Sequence, residues 1–289
     1  MGKGKGFCKV ILFGEHFVVY GVKGVVAPIS SYVEVEVVKS NKDEVIPPYK
    51  ELRMNALKIA KKELGIKEGV FLKKADFNTP ESGGIGRSAA LAVAITRALA
   101  DEFNIELSEE EINKVAFEIE KYFHGNPSGI DNTVATYKKP LIFQKGKKPE
   151  FFKMKPLNIL LVSTGKRGDT KHLVLDVVKP LAERNKDIFK SLCHTASLIV
   201  EEGIKALKEG DIEKIGELMN INHGLLHSIG VSTKEIEEIL QSTKKYSYGG
   251  KLTGAGGGGN VIILPKNKDK IKEILDDLGY KYEDIKVGE

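Results

Sequence analysis

The sequence predicts a two-domain protein of the α/β or α+β class. Three observations carry that expectation. Strand-like and helix-like segments alternate along both halves of the chain. The 289 residues are roughly twice a common domain size of ~150. Hydrophobic residues make up 41%, enough for a sizeable core and too many for a disordered chain.

The elements follow in order. Residues 8–13 contain Val10, Ile11 and Leu12 and read as a buried strand. Residues 32–38 alternate Val with Glu over most of their length, the pattern of a half-buried strand. Residues 49–64 place Leu52, Ala56, Ile59, Ala60 and Leu64 at helical spacing, and residues 70–77 are strand-like. Residues 88–103 are rich in Ala and Leu, lack Gly and Pro, and predict a helix. Residues 108–123 open with a capping box, Ser108 at the N-cap and Glu111 at N3. The basic stretch 140–156 is the expected boundary between domains 1–150 and 151–289. Beyond it, residues 159–162 read as a strand. Residues 172–184, 187–209, 211–227 and 233–244 read as helices. A glycine-rich stretch at 249–259, a strand at 260–264, a helix at 269–278 and a strand at 281–287 close the chain.

Composition excludes several classes. The net charge is 45 − 40 = +5, too mild and too dispersed for a nucleic-acid stripe and suited to anionic small molecules. Two cysteines, Cys8 and Cys193, without a CxxC exclude a disulfide scaffold and a cysteine zinc site. No run of eighteen apolar residues predicts a membrane span, and the first residues lack the pattern of a secretory signal. The expected location is therefore cytoplasmic. A homodimer is an assembly the sequence leaves open.

Four segments carry candidate chemistry. Gly83-Gly84-Ile85-Gly86-Arg87-Ser88-Ala89 leads into a helix, where free amides and the helix dipole favour a phosphate. The plainer reading is a loop with Ser88 as N-cap. Residues 253–259, Thr-Gly-Ala-Gly-Gly-Gly-Gly, spell a dinucleotide fingerprint, but a strand follows where that fingerprint needs a helix. Successive amides around Gly256 suit an anion all the same. The turn His124-Gly125-Asn126-Pro127-Ser128-Gly129 precedes Asp131, with Glu120 one turn before its start. Two acids beside a phosphate loop suit a division of labour between Mg²⁺ and an acceptor hydroxyl; a helix stop with an Asx turn is the alternative. Lys9 opens an apolar strand that Glu15 and His16 follow, and a lysine in such a strand points to a carboxylate partner unless it sits at an edge.

Two patterns lead nowhere. His223 and His227 stand i, i+4 like a zinc-protease pair, but Gly224 occupies the place of the general base, which favours a structural role. No P-loop motif occurs.

Together the segments resemble the GHMP kinase superfamily and, within it, the mevalonate kinases. KVILFGEHFVVYG (9–21), PESGGIGRSAA (80–90) and KLTGAGGGG (251–259) are similar to its three motifs in order. AFEIEKYFHGNPSGIDN (116–132) and NINHGLLHSIGVS (220–232) are similar to mevalonate kinases in particular. The resemblance implies an α+β fold with a ribosomal protein S5 domain 2-like N-terminal domain and a ferredoxin-like C-terminal domain, with the active site between them. It implies transfer of the γ-phosphoryl of ATP to the C5 hydroxyl of mevalonate, with Mg²⁺, in isoprenoid biosynthesis. The alternative acceptor is another small alcohol or phosphorylated acid such as phosphomevalonate. By the same resemblance Asp131 is the catalytic acid–base group and Lys9 its partner. Ser88 and Glu120 hold the metal. Gly83, Gly84, Ile85, Gly86, Arg87, Ser88, Ala89 and Gly256 hold the nucleotide, and Glu15 and His16 hold mevalonate. Three departures stand out: Phe7-Cys8 before Lys9 where Pro-Gly is usual, Arg87 where serine is usual, and a short segment between Asn41 and Gly69.

Overall fold

The computed structural model describes residues 1–79, 83–125, 127–166 and 168–288. Pro80, Glu81 and Ser82 of the second motif and Asn126 of the HGNPSG turn lie outside the described residues. The elements run β1 (Gly2–Phe13), β2 (Gly24–Ser40), β3 (Glu44–Val45), α1 (Lys50–Glu63), β4 (Gly69–Asn78), α2 (Arg87–Phe103), α3 (Glu109–His124) and α4 (Ile130–Tyr137). They continue with β5 (Leu141–Phe143), β6 (Glu150–Phe151), β7 (Leu157–Ser163), α5 (Thr170–His172), α6 (Lys179–Arg184), α7 (Lys186–Glu209), α8 (Ile212–Ser228) and α9 (Lys234–Thr243). The last are β8 (Ser247–Thr253), β9 (Asn260–Pro265), α10 (Lys268–Asp277) and β10 (Tyr282–Val287).

The chain forms two compact units, and neither is a single stretch of sequence. The first gathers Met1–Lys9, Pro28–Thr79 and Gly86–Lys138. The second gathers Val10–Ala27, Pro80–Ile85 and Lys139–Glu289.

In the first unit, Val33, Val35 and Val37 of β2 are buried while Glu34 and Glu36 pair outward with Lys3, Lys5 and Lys73. The expected strand there is longer than its alternating part. β2 pairs antiparallel with β4, Tyr32 opposite Asn78 and Ser40 opposite Gly69. β1 also extends further than its apolar run, back to Gly2. The added residues, Gly-Lys-Gly-Lys-Gly, are poor strand formers by propensity. Their glycines are required by packing. A Cβ on Gly2, Gly4 or Gly6 would lie 2.2, 2.1 or 2.0 Å from the carbonyl oxygens of Ala98, Ala94 and Ala90. The backbone of α2 thus rests directly on β1. α2 is buried on most sides, against α1, α3 and α4 as well. α3 carries the expected capping box, with Ser108 N–H donating to Glu111 Oε2 at 2.8 Å and Glu111 N–H to Ser108 Oγ at 3.3 Å.

In the second unit, β10, β7, β9 and β8 lie side by side in that order, all antiparallel. Numbered within the unit's own sheet, the order is fourth, first, third, second. With helices between the first and second strands and α10 between the third and fourth, this is the ferredoxin-like pattern. β8 corrects an expectation: residues 249–253 lie in a strand, and only 254–259 form the glycine loop. Gly249 sits in that strand because a Cβ would lie 2.0 Å from Gly216 O of α8. The single helix expected at 172–184 is broken into α5, a π-helical stretch over Leu173–Val178, and α6, which starts with Pro180 at its N2 position. Proline lacks the N–H that a regular ladder would use. Among the described residues no helix is long and apolar enough to cross a membrane.

Candidate active site

Five of the expected site residues, Lys9, Gly86, Ser88, Glu120 and Asp131, gather in the first unit. Lys9 leaves the end of its part of β1 with its side chain almost wholly buried, and its Nζ lies 3.4 Å from Asp131 Oδ1. Asp131 stands in the first turn of α4, whose N-cap is Gly129. That helix was not expected. Its sequence, Ile-Asp-Asn-Thr-Val-Ala-Thr-Tyr, has weak intrinsic propensity, and packing of buried Val134 and Ala135 against α2 and α3 overrides it. A carboxylate in a first turn also meets the positive end of the helix dipole.

Gly86 closes over this pair. It is the N-cap of α2, with φ 72° and ψ 30°. This corrects the plainer reading of Ser88 as N-cap: Ser88 is the second residue of the helix. Gly86 supplies the left-handed conformation at little cost. A Cβ there would stand 3.1 Å from Lys9 Cγ and 3.7 Å from Asp131 Oδ2.

Glu120, in the last turns of α3, is 2% exposed, and among the described residues its Oε1 has no hydrogen-bond partner. Burial first, and then the charge of Asp131, push its carboxyl up to about 7, against opposing help from Ser88 and Lys9. Ser88 Oγ lies 3.0 Å from His124 Nε2, which is 3.8 Å from Glu120 Oε2. An orphaned carboxylate oxygen beside a hydroxyl and a second carboxylate is a donor set of hard oxygens, suited to a small divalent cation.

Arg87 goes elsewhere. Its guanidinium lies over the Phe77 ring, 4.7 Å from the centroid. Ala89 is fully buried.

The other expected residues belong to the second unit. Glu15 and His16 are both buried. Glu15 is ion-paired with Lys251 and accepts from Asn222 Nδ2 at 3.3 Å. His16 Nε2 lies 2.7 Å from Ala255 O, and burial lowers its pKa. Gly83 O accepts from Asn260 Nδ2 at 2.6 Å, and Gly84 lies beside Gly254. Ile85 is fully buried. Gly256 packs on Val231: a Cβ would lie 2.2 Å from its carbonyl oxygen, which accepts the next amide, Gly257 N–H, at 2.8 Å.

This arrangement has known counterparts. The family model for the GHMP kinases N terminal domain matches residues 51–139, and the model for the GHMP kinases C terminal matches residues 204–284. The chain belongs to the GHMP kinase family. Among relatives, the mevalonate kinase of Pyrococcus furiosus is 33% identical over 91% of this chain and 88% of its own. That of Methanocaldococcus jannaschii is 32% identical over 96% of each. The crystal structure of L. major mevalonate kinase in complex with R-mevalonate superimposes with a TM-score of 0.88, at 32% identity, over 99% of this chain and 96% of that one.

Within this GHMP kinase, three groups escaped the sequence reading. Lys251 lies inside β8, where the glycines on both sides of it mask the strand. Asn222 is a buried amide on a helix with no local mark. His124 was visible only as part of a turn.

Proposed function

We infer that the chain is an ATP-dependent mevalonate kinase, transferring the γ-phosphoryl group of ATP to the C5 hydroxyl of mevalonate. The Lys9–Asp131 pair carries the reading, together with the relatives of the same activity. In the reaction, the acceptor oxygen bonds to the γ-phosphorus. The bond from that phosphorus to the bridging oxygen breaks, and ADP leaves with the electron pair. Asp131 accepts or orients the hydroxyl proton, and Lys9, ion-paired with Asp131, offsets the negative charge that develops on the acceptor oxygen. The amides at the start of α2 and in the loop at Gly256 bind phosphate oxygens. Glu15 and His16 bind the acceptor acid. Ser88 and Glu120 would hold Mg²⁺, which when bound neutralises phosphate charge. The corresponding setting is isoprenoid biosynthesis in the cytoplasm.

The alternative acceptors rested on Arg87, as a cation free to meet an acidic group. Its place over Phe77 gives that cation another role.

A coupled ADP-release assay over mevalonate, phosphomevalonate, homoserine and galactose tests the reading. Turnover on mevalonate alone is expected, and preference for any other acceptor overturns it. Asp131→Asn should fold normally, bind MgATP, and lose about 10²–10⁴-fold in turnover. Near-normal turnover would remove Asp131 from the mechanism.

A further inference from the structure

The two histidines set aside in the sequence converge in the fold. His223 and His227 lie one turn apart on α8, and both reach the same oxygen of Glu237 on α9. His223 Nε2 is 2.9 Å and His227 Nδ1 2.8 Å from Glu237 Oε1. The three ligand atoms lie within 4.8 Å of one another. Ser232 Oγ donates to that oxygen as well. Among the described residues His223 Nδ1 is buried without a hydrogen-bond partner. None of these groups enters the phosphoryl-transfer machinery described above.

We propose that His223, His227 and Glu237 bind a divalent transition metal, zinc in the first place, as a clamp between α8 and α9. Two imidazoles and one carboxylate are a common ligand set for zinc, with a fourth position left for water or a hydroxyl. Tetrahedral bonds of about 2.0–2.1 Å put ligand atoms roughly 3.3 Å apart. The two His–Glu separations must therefore widen by about half an ångström, and the two imidazole nitrogens, within 4.8 Å of each other, must draw together toward the same spacing. His227 is exposed and can move that far, while His223 is buried and fixed. The exposed side also gives the ion its way in. A magnesium ion is a poor fit, since it prefers oxygen ligands and keeps its waters.

The position gives the clamp a consequence. Ser232 follows Val231, whose carbonyl supports Gly257 of the glycine loop. The ion would tie down the turn on which that loop rests.

The test uses the full chain without an added histidine tag, stripped with EDTA and dialysed. Zn²⁺ is titrated by calorimetry, with the bound metal counted by mass spectrometry and Mg²⁺ as the control cation. One zinc per chain is expected, with a rise in Tm. His227→Ala and Glu237→Gln, each checked for native circular dichroism, should each weaken zinc binding by more than about tenfold and abolish the rise, since even residues outside the coordination sphere commonly cost 10–100-fold. Glu120→Gln should leave zinc binding unchanged. The proposal is overturned by the absence of stoichiometric zinc, or by zinc binding that survives His227→Ala and Glu237→Gln. It is also overturned if Glu120→Gln removes the binding, which would place the ion in the phosphoryl-transfer site.

Discussion

The ammonium of Lys251 and the carboxylate of Glu15 form an ion pair in which neither side chain reaches solvent. Burial lowers the lysine pKa, and Glu15 opposes that shift. The remaining partners are polar: Lys251 Nζ also donates to Leu252 O at 2.6 Å, and Asn222 donates to the other oxygen of Glu15. Removing one partner leaves a lone buried charge, whereas removing both does not. Lys251→Met should therefore lose about 3–5 kcal/mol of stability. The double variant Lys251→Met with Glu15→Gln should regain a good part of that loss. Urea denaturation of the four proteins in this cycle reads the coupling. Additive losses would mean that the pair does not interact.

Glu120 should be a site where function costs stability. Its carboxylate is ionised at pH 8 although buried beside Asp131. Glu120→Gln removes that charge and should stabilise the metal-free protein on the order of 1–3 kcal/mol. The same variant should lose turnover and need more Mg²⁺ to reach half its maximal activity. A Tm below the parent's in EDTA would contradict the electrostatic account.

Arg87 and Ser88 are neighbours with different fates. Arg87→Ser removes a stacked cation worth roughly 0.5–1 kcal/mol of stability and should leave turnover within about tenfold, less than ~1.4 kcal/mol. Ser88→Ala should cost more turnover and little stability. If the order is reversed in steady-state kinetics, Arg87 acts on the substrate and the phosphate loop has been mapped onto the wrong residues.

Asp284 ties β10 to α10 through Lys268 and Lys272. Burial raises its pKa, but the hydrogen bonds and charges of the two lysines outweigh that and leave it lowered. A lowered folded-state value means that the unfolded chain takes up the proton first. The pair therefore contributes stability above the ordinary aspartate pKa, and that contribution disappears as pH falls through the lowered value. Asp284→Asn should be less stable at pH 7, with the gap to the parent closing as pH falls below the ordinary aspartate range. Thermal melts across that range check it; a constant gap would refute the linkage.

Much of this was legible in the sequence, for physical reasons. Lys9 stood out because a lysine opening an apolar strand needs a partner, and Ser108 with Glu111 because capping is a local bond. Asp131 could be placed near a turn but not on a helix. The stability of α4 comes from neighbours distant in sequence, not from its own residues. The glycines of β1 argued against a strand, since what favours them there is the backbone of α2. The division into compact units joins segments far apart in the chain, and no local composition marks such joints.

The stacked glycines of β1 have one more consequence. Two residues of strand advance about 6.6–6.8 Å, and four residues of helix about 6 Å. Gly2, Gly4 and Gly6 therefore keep step with Ala98, Ala94 and Ala90, like the marks of two rulers laid edge to edge. Sliding either ruler by one residue would drive Lys3 or Lys5 into the helix backbone. The strand that carries Lys9 and the helix that begins at Arg87 are thus indexed against each other along their length. The spacing between the lysine and the first turn is set there, well away from where it is used.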